Sequence, residues 1–478
     1  MNKTNILVVG KPGIGKTAVT HQMLKLWAEG DNNKLDYMFY FDMRETSQIT
    51  SAKNLEDLLF SAYREPDEGK EEVLQDIKNN SENVTVIFDG LTDLQCSPVV
   101  QGLVEKHLLP DAKIVITCRP EVESEDFLLD WASLRVEVKG FSEESIKAYL
   151  SKMLSAVHLS SVLNNLELFT LCHVPMYALM VAACFSFKTS KDYQQPCTIT
   201  EIYINILRFC VQKSHGMIKN RGLNDYIRKK CEEILSLAEV AFLATQGKSV
   251  NLTSLQCEDS SVHSAFLKTL GEKVAPTQWR SSSAFLHYTV QEFFAGIWLL
   301  MNPEKMTDVV QQCLTEGKKH MKHLIPFMCG FLNDRNLDTL GHLILAQQVK
   351  DTSKWFFKEL LNTFIPCPPN QDDSDGLDIL FLCQCLYESQ SSEACLFLLN
   401  KLDYCLDLSG KSLDPYHWCA VSYVISQSED RKITLNLDNV MISEQGLSLI
   451  LVCLRNVQWC GCNSLQQQLW RAFLLSEV

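Results

Sequence analysis

The stretch Gly10-Lys11-Pro12-Gly13-Ile14-Gly15-Lys16-Thr17 decides the fold, because it fits the phosphate-binding pattern G-x-x-x-x-G-K-[ST] at every fixed position. The run before it, 5–9, is short and largely apolar, as a buried parallel strand is. The segment after it, 18–28, spaces its apolar residues along one face of a helix. In this order, backbone N–H groups and a helix N-terminus surround an anion. The sequence therefore predicts a nucleotide loop in which Lys16 reaches the β- and γ-phosphates and Thr17 binds Mg²⁺. A chance glycine-rich turn is the alternative.

Length and composition predict several globular domains. The chain has 478 residues, which is more than one hydrophobic core covers, so we expect three or more domains. Its composition, 46% apolar and 21% charged, is ordinary for a globular protein. The net charge of −14 argues against nucleic-acid binding as the main function.

The cysteines and the ends of the chain indicate a cytoplasmic protein. The 19 cysteines form no compact framework, which predicts free thiols in a reducing compartment. The C-x-C pairs Cys383/Cys385 and Cys460/Cys462 lack a second pair at zinc-finger spacing, so metal binding there is disfavoured. No signal peptide precedes the first strand, and the longest apolar run, 174–187, is too short to span a bilayer. Because the chain starts just before the nucleotide loop, we expect no domain in front of it.

Apolar strands alternate with helical segments over residues 1–140, which predicts a parallel sheet covered on both faces. The strands are expected at Ile6–Val9, Tyr37–Asp42, Val84–Asp89, Lys113–Thr117 and Arg135–Val138. From residue 142 to about 400 the pattern is almost wholly helical. Its polar, Gly or Pro breaks fall near 188–196, 246–251, 272–283 and 366–376.

An internal repeat lies near the C-terminus. Leu406-Asp407-Leu408 matches Leu435-Asn436-Leu437, and the two copies are 29 positions apart. This spacing falls within the leucine-rich-repeat range of roughly 20–29 residues. Two units are too few for an independent solenoid, so they must pack on the preceding helices or begin a longer array.

Two further strand ends carry charged residues. The strand Val84–Asp89 ends in an acid, and in P-loop proteins an Asp at this point helps to hold Mg²⁺; a structural strand-end turn is the alternative for Asp89. The next strand delivers Arg119 to the same sheet edge. Arg119 either senses the charge of the γ-phosphate or pairs with a nearby acid at the surface, and the residues alone do not favour either interpretation.

Several motifs in one order give the chain a family resemblance. They are Gly10–Thr17, Phe88–Asp93, Thr117–Pro120, Leu171–Pro175 and Phe285–Phe293. In this order they resemble the NACHT–leucine-rich-repeat proteins, the NOD-like receptors of innate immunity, which are STAND-type P-loop NTPases. Asp42-Met43-Arg44-Glu45 and Leu386-Tyr387-Glu388 resemble further segments of that family. The absence of an N-terminal effector domain would distinguish this chain from full-length members.

The resemblance implies a multidomain fold of α/β and α parts. A parallel-sheet nucleotide-binding domain would occupy 1–140, a first helical domain 141–195, a winged helix 196–300 and a second helical domain 301–400. Residues 401–478 would hold two leucine-rich-repeat units, the start of a solenoid, and a C-terminal tail.

The resemblance also implies a ligand and its binding residues. ATP or ADP would be bound by Gly10, Lys11, Pro12, Gly13, Ile14, Gly15, Lys16 and Thr17, and Mg²⁺ by Thr17 and Asp89. Pro175 would pack against the adenine, although a proline in a helical stretch is physically first a helix start or kink. His287 would reach the β-phosphate of ADP, although a histidine between apolar residues is more often part of a core.

The strand that ends at Asp89 departs from the family pattern. Members commonly show Asp-Gly-x-Asp-Glu, whereas this chain has Thr92 and Asp93 at the last two positions. Thr92 removes a carboxylate, and Asp93 is one methylene shorter than Glu. Asp93 and Arg119 remain the candidates for catalytic roles. Because hydrolysis depends on a closely positioned group that orients water, we expect nucleotide binding with slow or absent hydrolysis.

The resemblance implies a nucleotide-dependent switch. With ADP bound, His287 would keep the molecule closed, and exchange for ATP would favour an open state that self-associates or joins related receptors. An unidentified ligand would act through the repeats. The favoured function is a scaffold in cytosolic innate immune signalling or its regulation. The alternatives are an ATPase proper and an effector-less inhibitory partner of full-length relatives. A transcription regulator is disfavoured, because no strong basic cluster is present.

Overall fold

The structure is a computed structural model. It describes residues 5–30, 37–43, 49, 52–62, 66–91, 97–123, 128, 131–185, 195–213, 223–249, 252, 260–275, 278–315, 318–365, 378–429, 431–459 and 469.

Five parallel strands form the N-terminal sheet, as predicted. They are β1 (Asn5–Val9), β2 (Tyr37–Asp42), β3 (Val84–Asp89), β4 (Lys113–Cys118) and β5 (Leu134–Glu137), in the order β2-β3-β4-β1-β5. The nucleotide loop follows β1, and β1 lies between β4 and β5. The carboxyl ends of β1, β3 and β4 therefore lie side by side at the edge where ligands bind in open α/β sheets.

The central strand β3 is buried along its whole length, which its apolar run predicted. Val86 and Phe88 face the larger core layer, and Ile87 faces a smaller layer on the opposite side with Val8 and Val115. The alternation follows from the period of two along a strand. Both faces are therefore covered, and β3 holds Asp89 at a fixed place at its carboxyl end.

The sheet region contains the helices α1 (Lys16–Glu29), α2 (Leu55–Ala62), α3 (Lys70–Asn79), α4 (Pro98–Val104) and α5 (Pro120–Glu123). The helical region that follows contains α6 (Glu143–Met153), α7 (Ala156–Leu163), α8 (Leu166–Leu171), α9 (Pro175–Phe185), α10 (Ile199–Lys213), α11 (Leu223–Lys229), α12 (Cys231–Gln246), α13 (Ser261–Phe266), α14 (Tyr288–Met301), α15 (Pro303–Gln312), α16 (Leu324–Phe331), α17 (Leu337–Leu340), α18 (Ala346–Phe364), α19 (Ile379–Ser389) and α20 (Ser392–Lys401).

Polar caps set where several of these helices begin. The side chains of Ser142, Ser155 and Asn165 each accept a backbone N–H from the first turn of α6, α7 and α8. Such caps satisfy N–H groups that have no partner inside the helix. Along the part of the chain that the structure describes, none of the helices is both long and apolar enough to cross a membrane.

The helical pattern is interrupted at 272–283 as predicted, and the described residues of this segment belong to a β-hairpin. The antiparallel strands β6 (Leu267–Ala275) and β7 (Gln278–Phe285) pair from Leu267–Phe285 to Ala275–Gln278. Gly271 and the run Ser281-Ser282-Ser283 leave no apolar alternation here, so the hydrophobic pattern does not indicate a strand. The predicted breaks at 188–194 and 366–376 lie outside the described residues.

Three parallel strands lie at the C-terminal end: β8 (Cys405–Asp407), β9 (Ile433–Asn436) and β10 (Val457–Trp459). The helices α21 (Pro415–Ser426) and α22 (Glu444–Cys453) connect them. The two copies of the repeat are neighbouring strands, with Leu406 opposite Leu435. Strand β10 continues this sheet past the second copy of the repeat, within the residues predicted as a C-terminal tail. A leucine-rich-repeat solenoid remains a prediction.

Candidate functional site

The nucleotide loop connects β1 to α1 and needs glycine at two positions. Gly13 has φ +73°, and a Cβ there would lie 2.6 Å from the Met176 side chain. Gly15, the residue before α1, has φ +111°. Both torsions lie in the region that glycine tolerates and other residues rarely adopt. Ile14 is buried in the core of the helical region, so the middle of the loop is anchored there.

Lys16 and Thr17 lie at the start of α1. The Lys16 ammonium donates to the Gly10 carbonyl at 2.5 Å and to the Lys11 carbonyl at 3.0 Å. The Thr17 hydroxyl donates to Asp89 Oδ2 at 2.7 Å. The structure thus brings together the two residues predicted to hold Mg²⁺. A hydroxyl and a carboxylate beside a cavity fit that ion, which takes oxygen ligands and keeps several waters.

Two residues without a predicted role also contact Asp89, whose side chain is buried. Tyr40 Oη donates to Asp89 Oδ2 at 2.9 Å, and Thr117 Oγ1 donates to Asp89 Oδ1 at 2.5 Å. These bonds fix the carboxylate toward Thr17. Both partners were open to prediction, because Tyr40 and Thr117 lie near the carboxyl ends of neighbouring strands.

A cavity of about 310 Å³ lies beside these residues. Among the residues that line it are the predicted site residues Lys16, Thr17, Asp89, Arg119 and His287. Its volume is at the small end of the range of roughly 300–1,000 Å³ that is typical of ligand pockets. The sheet edge and the start of α14 therefore form its two sides.

Arg119 follows β4 and contacts the opposite side of this cavity. Its guanidinium pairs with Glu292 of α14 at 2.8 Å, and the two side chains are 16% and 10% exposed. It also lies over the Tyr288 ring, 5.5 Å from the centroid. Two interpretations were predicted for Arg119, sensing of the γ-phosphate and pairing with an acid. Arg119 lines the cavity, as the first requires, and pairs with an acid, as the second requires. That acid is buried rather than at the surface.

His287 is the N-cap of α14 and lines the cavity. Its Nδ1 accepts the backbone N–H of Thr289 at 3.2 Å. The Thr289 hydroxyl lies 2.7 Å from the same Nδ1 and also contacts the Tyr203 hydroxyl. Because Nδ1 is an acceptor, this network assigns the proton of the neutral ring to Nε2. The ring therefore keeps one N–H donor.

The other predicted residues are placed differently. Pro175 begins α9, in agreement with the physical reading of a helix start, and its neighbour Met176 lines the cavity in its place. The side chain of Lys11 points away from this cavity and lines a second one. Thr92 and Asp93 lie outside the described residues.

Two known families match parts of the chain. The family described as the NACHT domain matches residues 4–157, and the family described as the NLRC4 helical domain HD2 matches residues 287–395. Protein NLRC5 of Ictalurus punctatus is 22% identical over 509 residues, which cover 94% of this chain and 29% of that protein. Human nucleotide-binding oligomerization domain-containing protein 2 is 27% identical over 362 residues, covering 68% of this chain and 34% of that protein.

A third relative is human NACHT, LRR and PYD domains-containing protein 3. It is 26% identical over 457 residues, which cover 84% of this chain and 41% of that protein. The chain spans about a third of the length of these curated relatives.

Proposed function

Because the chain belongs to the NACHT-domain proteins of the NOD-like receptor family, we propose that it is a nucleotide-operated switch in innate immune signalling. One observation carries the proposal. Lys16, Thr17, Asp89 and Arg119 from the sheet region and His287 from α14 line one cavity. A ligand in that cavity contacts both regions at once, and its identity therefore affects how they pack.

In the ADP-bound state, His287 is the contact that keeps the molecule closed. Its Nε2–H donates to the β-phosphate, while Nδ1 is held by Thr289. The Lys16 ammonium, which donates hydrogen bonds to the Gly10 and Lys11 carbonyls in this structure, donates to the phosphates instead. Mg²⁺, held by Thr17 and Asp89, supplies positive charge that neutralises the phosphate oxygens.

ATP differs from ADP by the charge of the γ-phosphate. Arg119 pairs with Glu292 of α14, and a γ-phosphate near Arg119 competes with that carboxylate for the guanidinium. Loss of the Arg119–Glu292 pair and of the His287 contact favours the open state. The nucleotide shifts this equilibrium only by the difference between its affinities for the two states.

The partners follow from the family. The open state self-associates or joins related receptors, and one relative is named for an oligomerization domain. The units of β8, β9 and β10 are proposed to begin a leucine-rich-repeat array that reads a ligand in the cytosol. Slow or absent hydrolysis is proposed from Thr92 and Asp93 in the sequence.

The test is the nucleotide bound by the purified chain, identified by mass spectrometry, with the molecular mass measured by light scattering beside it. We expect ADP or ATP to copurify with the wild type and to be lost from Lys16→Ala. Lys25→Ala is the matched control, because Lys25 is an exposed lysine on the same helix, 62% exposed and 3.9 Å from Glu29. Equal nucleotide content in all three proteins, or none in the wild type, contradicts the proposal.

A further inference from the structure

The nucleotide loop has a second face. A cavity of about 360 Å³ lies behind it, lined by Lys11, His173, Asp414 and His417 among others. Pro12 lines both cavities, so the loop is the wall between them. The second cavity joins the loop to the first strand–helix unit of the C-terminal sheet.

A cluster of charged side chains bridges this cavity. The Lys11 ammonium forms a short ion pair with Asp414 Oδ2 and lies 3.3 Å from His417 Nε2. His173 Nε2 lies 3.6 Å from the same Asp414 oxygen. The Asp414 side chain is 22% exposed and that of His173 only 6%. The Lys11 side chain is 39% exposed, so the pair is partly shielded from solvent and is screened less than a fully exposed pair.

The Asp414 carboxyl is ionised at neutral pH because of the groups around it. Burial alone would raise the pKa of Asp414, but Lys11, His417 and His173 outweigh burial and hold it well below its ordinary value. Burial lowers the pKa of His417 to about 4. His417 is therefore neutral near pH 7, and the pair consists of the Lys11 cation and the Asp414 anion.

Capping a helix does not explain the charge of Asp414. Its Oδ1 accepts the His417 backbone N–H at 2.8 Å and so caps α21. The corresponding residue 29 positions later is Ser443, which caps α22 through Gly446 without any charge. Serine, asparagine and aspartate cap about equally well. What the charge of Asp414 adds is the contact with the loop.

We propose that Asp414 is a positioning residue of the nucleotide site, clamping the loop through Lys11 from the side opposite to the nucleotide. The route is the loop itself: the side chain of Lys11 pairs with Asp414, and the next two residues, Pro12 and Gly13, line the nucleotide cavity. Docking of the C-terminal unit and nucleotide binding are therefore coupled. This inference rests on the proposed function, since it takes the first cavity to be the nucleotide site.

Coupling between two sites is reciprocal. If the clamp strengthens nucleotide binding by some factor, the nucleotide strengthens docking of the C-terminal unit by the same factor. The two measurements, nucleotide affinity and protection of α21, are independent readouts of one quantity. A residue that only stabilised the fold would not change nucleotide affinity and the protection of α21 by the same factor.

The first measurement is ADP and ATP affinity in the full chain. Asp414→Asn keeps the cap and removes the charge, and Lys11→Met removes the cation while leaving the loop backbone. Each is expected to weaken binding roughly fivefold or more. The double variant is expected to bind no more weakly than either single one, because residues in one ion pair are not additive. Ser443→Ala, which removes the cap of the next unit, is expected to keep wild-type affinity.

The second measurement is hydrogen exchange of the backbone amides in α21. Nucleotide is expected to slow this exchange in the wild type and not in Lys11→Met. This readout keeps the test open if Asp414→Asn does not fold. Wild-type affinity in both single variants, additive losses in the double variant, or equal nucleotide protection in Lys11→Met overturns the proposal.

A failure of the proposed function is a separate outcome. If the wild type binds neither ADP nor ATP, the nucleotide site itself is wrong. The ion pair is then tested by thermal unfolding of the same four proteins: wild type, two single variants and the double variant. Additive changes in the free energy of unfolding would show that Asp414 does not act through Lys11.

Discussion

Arg119, which follows β4, and Glu292, in the first half of α14, form a mostly buried ion pair of 2.8 Å between the sheet region and the helical region. The residues are 173 positions apart in sequence and belong to the two regions that the proposed switch separates. The pair gives Arg119 a partner within the protein that would compete with the γ-phosphate in the proposed switch. The first prediction follows from this competition.

Glu292→Gln is expected to favour ATP over ADP. The variant removes the charge that competes for Arg119, so the ATP-to-ADP affinity ratio should rise roughly fivefold or more. It should also destabilise the nucleotide-free protein, because breaking one side of a buried pair costs about 3–5 kcal/mol. Competition binding with both nucleotides measures the ratio, and the exposed residue variant Glu304→Gln is the control. An unchanged ratio would mean that Arg119 does not sense the γ-phosphate.

His287→Asn is expected to increase self-association in the presence of ADP. Asparagine still caps α14, so the variant removes the proposed phosphate contact while keeping the helix start. Light scattering measures the fraction of assembled protein, and circular dichroism checks the fold. If this variant with ADP stays monomeric at the protein concentration at which the wild type assembles with ATP, His287 is not the contact that keeps the molecule closed.

Removal of Mg²⁺ is expected to weaken ATP binding in the wild type and to have little effect in Asp89→Asn. The Asp89 carboxylate and the Thr17 hydroxyl, which share a hydrogen bond of 2.7 Å, are the groups proposed to hold the ion. Nucleotide titrations with Mg²⁺ and with a chelator measure this difference. Asp111→Asn, an exposed position before β4, should keep the full Mg²⁺ effect. Equal Mg²⁺ dependence in Asp89→Asn would place the ion elsewhere.

Gly13→Ala is expected to destabilise the fold more than Gly90→Ala. Both glycines have positive φ, +73° and +83°, so both variants incur a backbone strain of about 1–3 kcal/mol. Only the Cβ at residue 13 also meets Met176, whereas nothing lies within 4 Å at residue 90. Thermal unfolding without nucleotide compares the two variants. Equal losses would show that the loop does not pack on Met176 as described.

Acid should destabilise the wild type more than His320→Gln between pH 6.5 and pH 4. Burial lowers the pKa of His320 from 6.5 to about 4. The unfolded chain therefore takes up this proton first as the pH falls, and stability that is complete above pH 6.5 is lost on the way to pH 4. After discounting for solvent screening, the contribution is on the order of 1–2 kcal/mol. Denaturant titrations across this range measure it, and parallel curves would refute it.

The sequence predicted those strands that are determined by an apolar run within one short segment. The apolar runs of β1, β3 and β4 indicate strands on their own, and parallel strands bring their carboxyl ends to one edge. The approach of Thr17 to Asp89 follows from that geometry. The strand order, with β1 between β4 and β5, depends on tertiary packing and cannot be read from the sequence of any single segment.

The rest depends on partners far away in sequence or on a pattern that is not hydrophobic. The acid that pairs with Arg119 was not identifiable, because several acids follow it and only packing selects Glu292. The β6–β7 hairpin is held by backbone hydrogen bonds in a polar segment. Strand β10 is only three residues long and lacks the leucines of β8 and β9, so the repeat pattern missed it.

The clamp between Lys11 and Asp414 also has a consequence for protein synthesis. The two residues are 403 positions apart, and chains are made at roughly 5–20 residues per second, so the loop is synthesised about 20–80 s before its partner. During that interval the nascent chain carries the nucleotide loop without Asp414. A nucleotide captured during that interval would lack the contribution of the proposed clamp, which forms only after Asp414 has been synthesised and has left the ribosome.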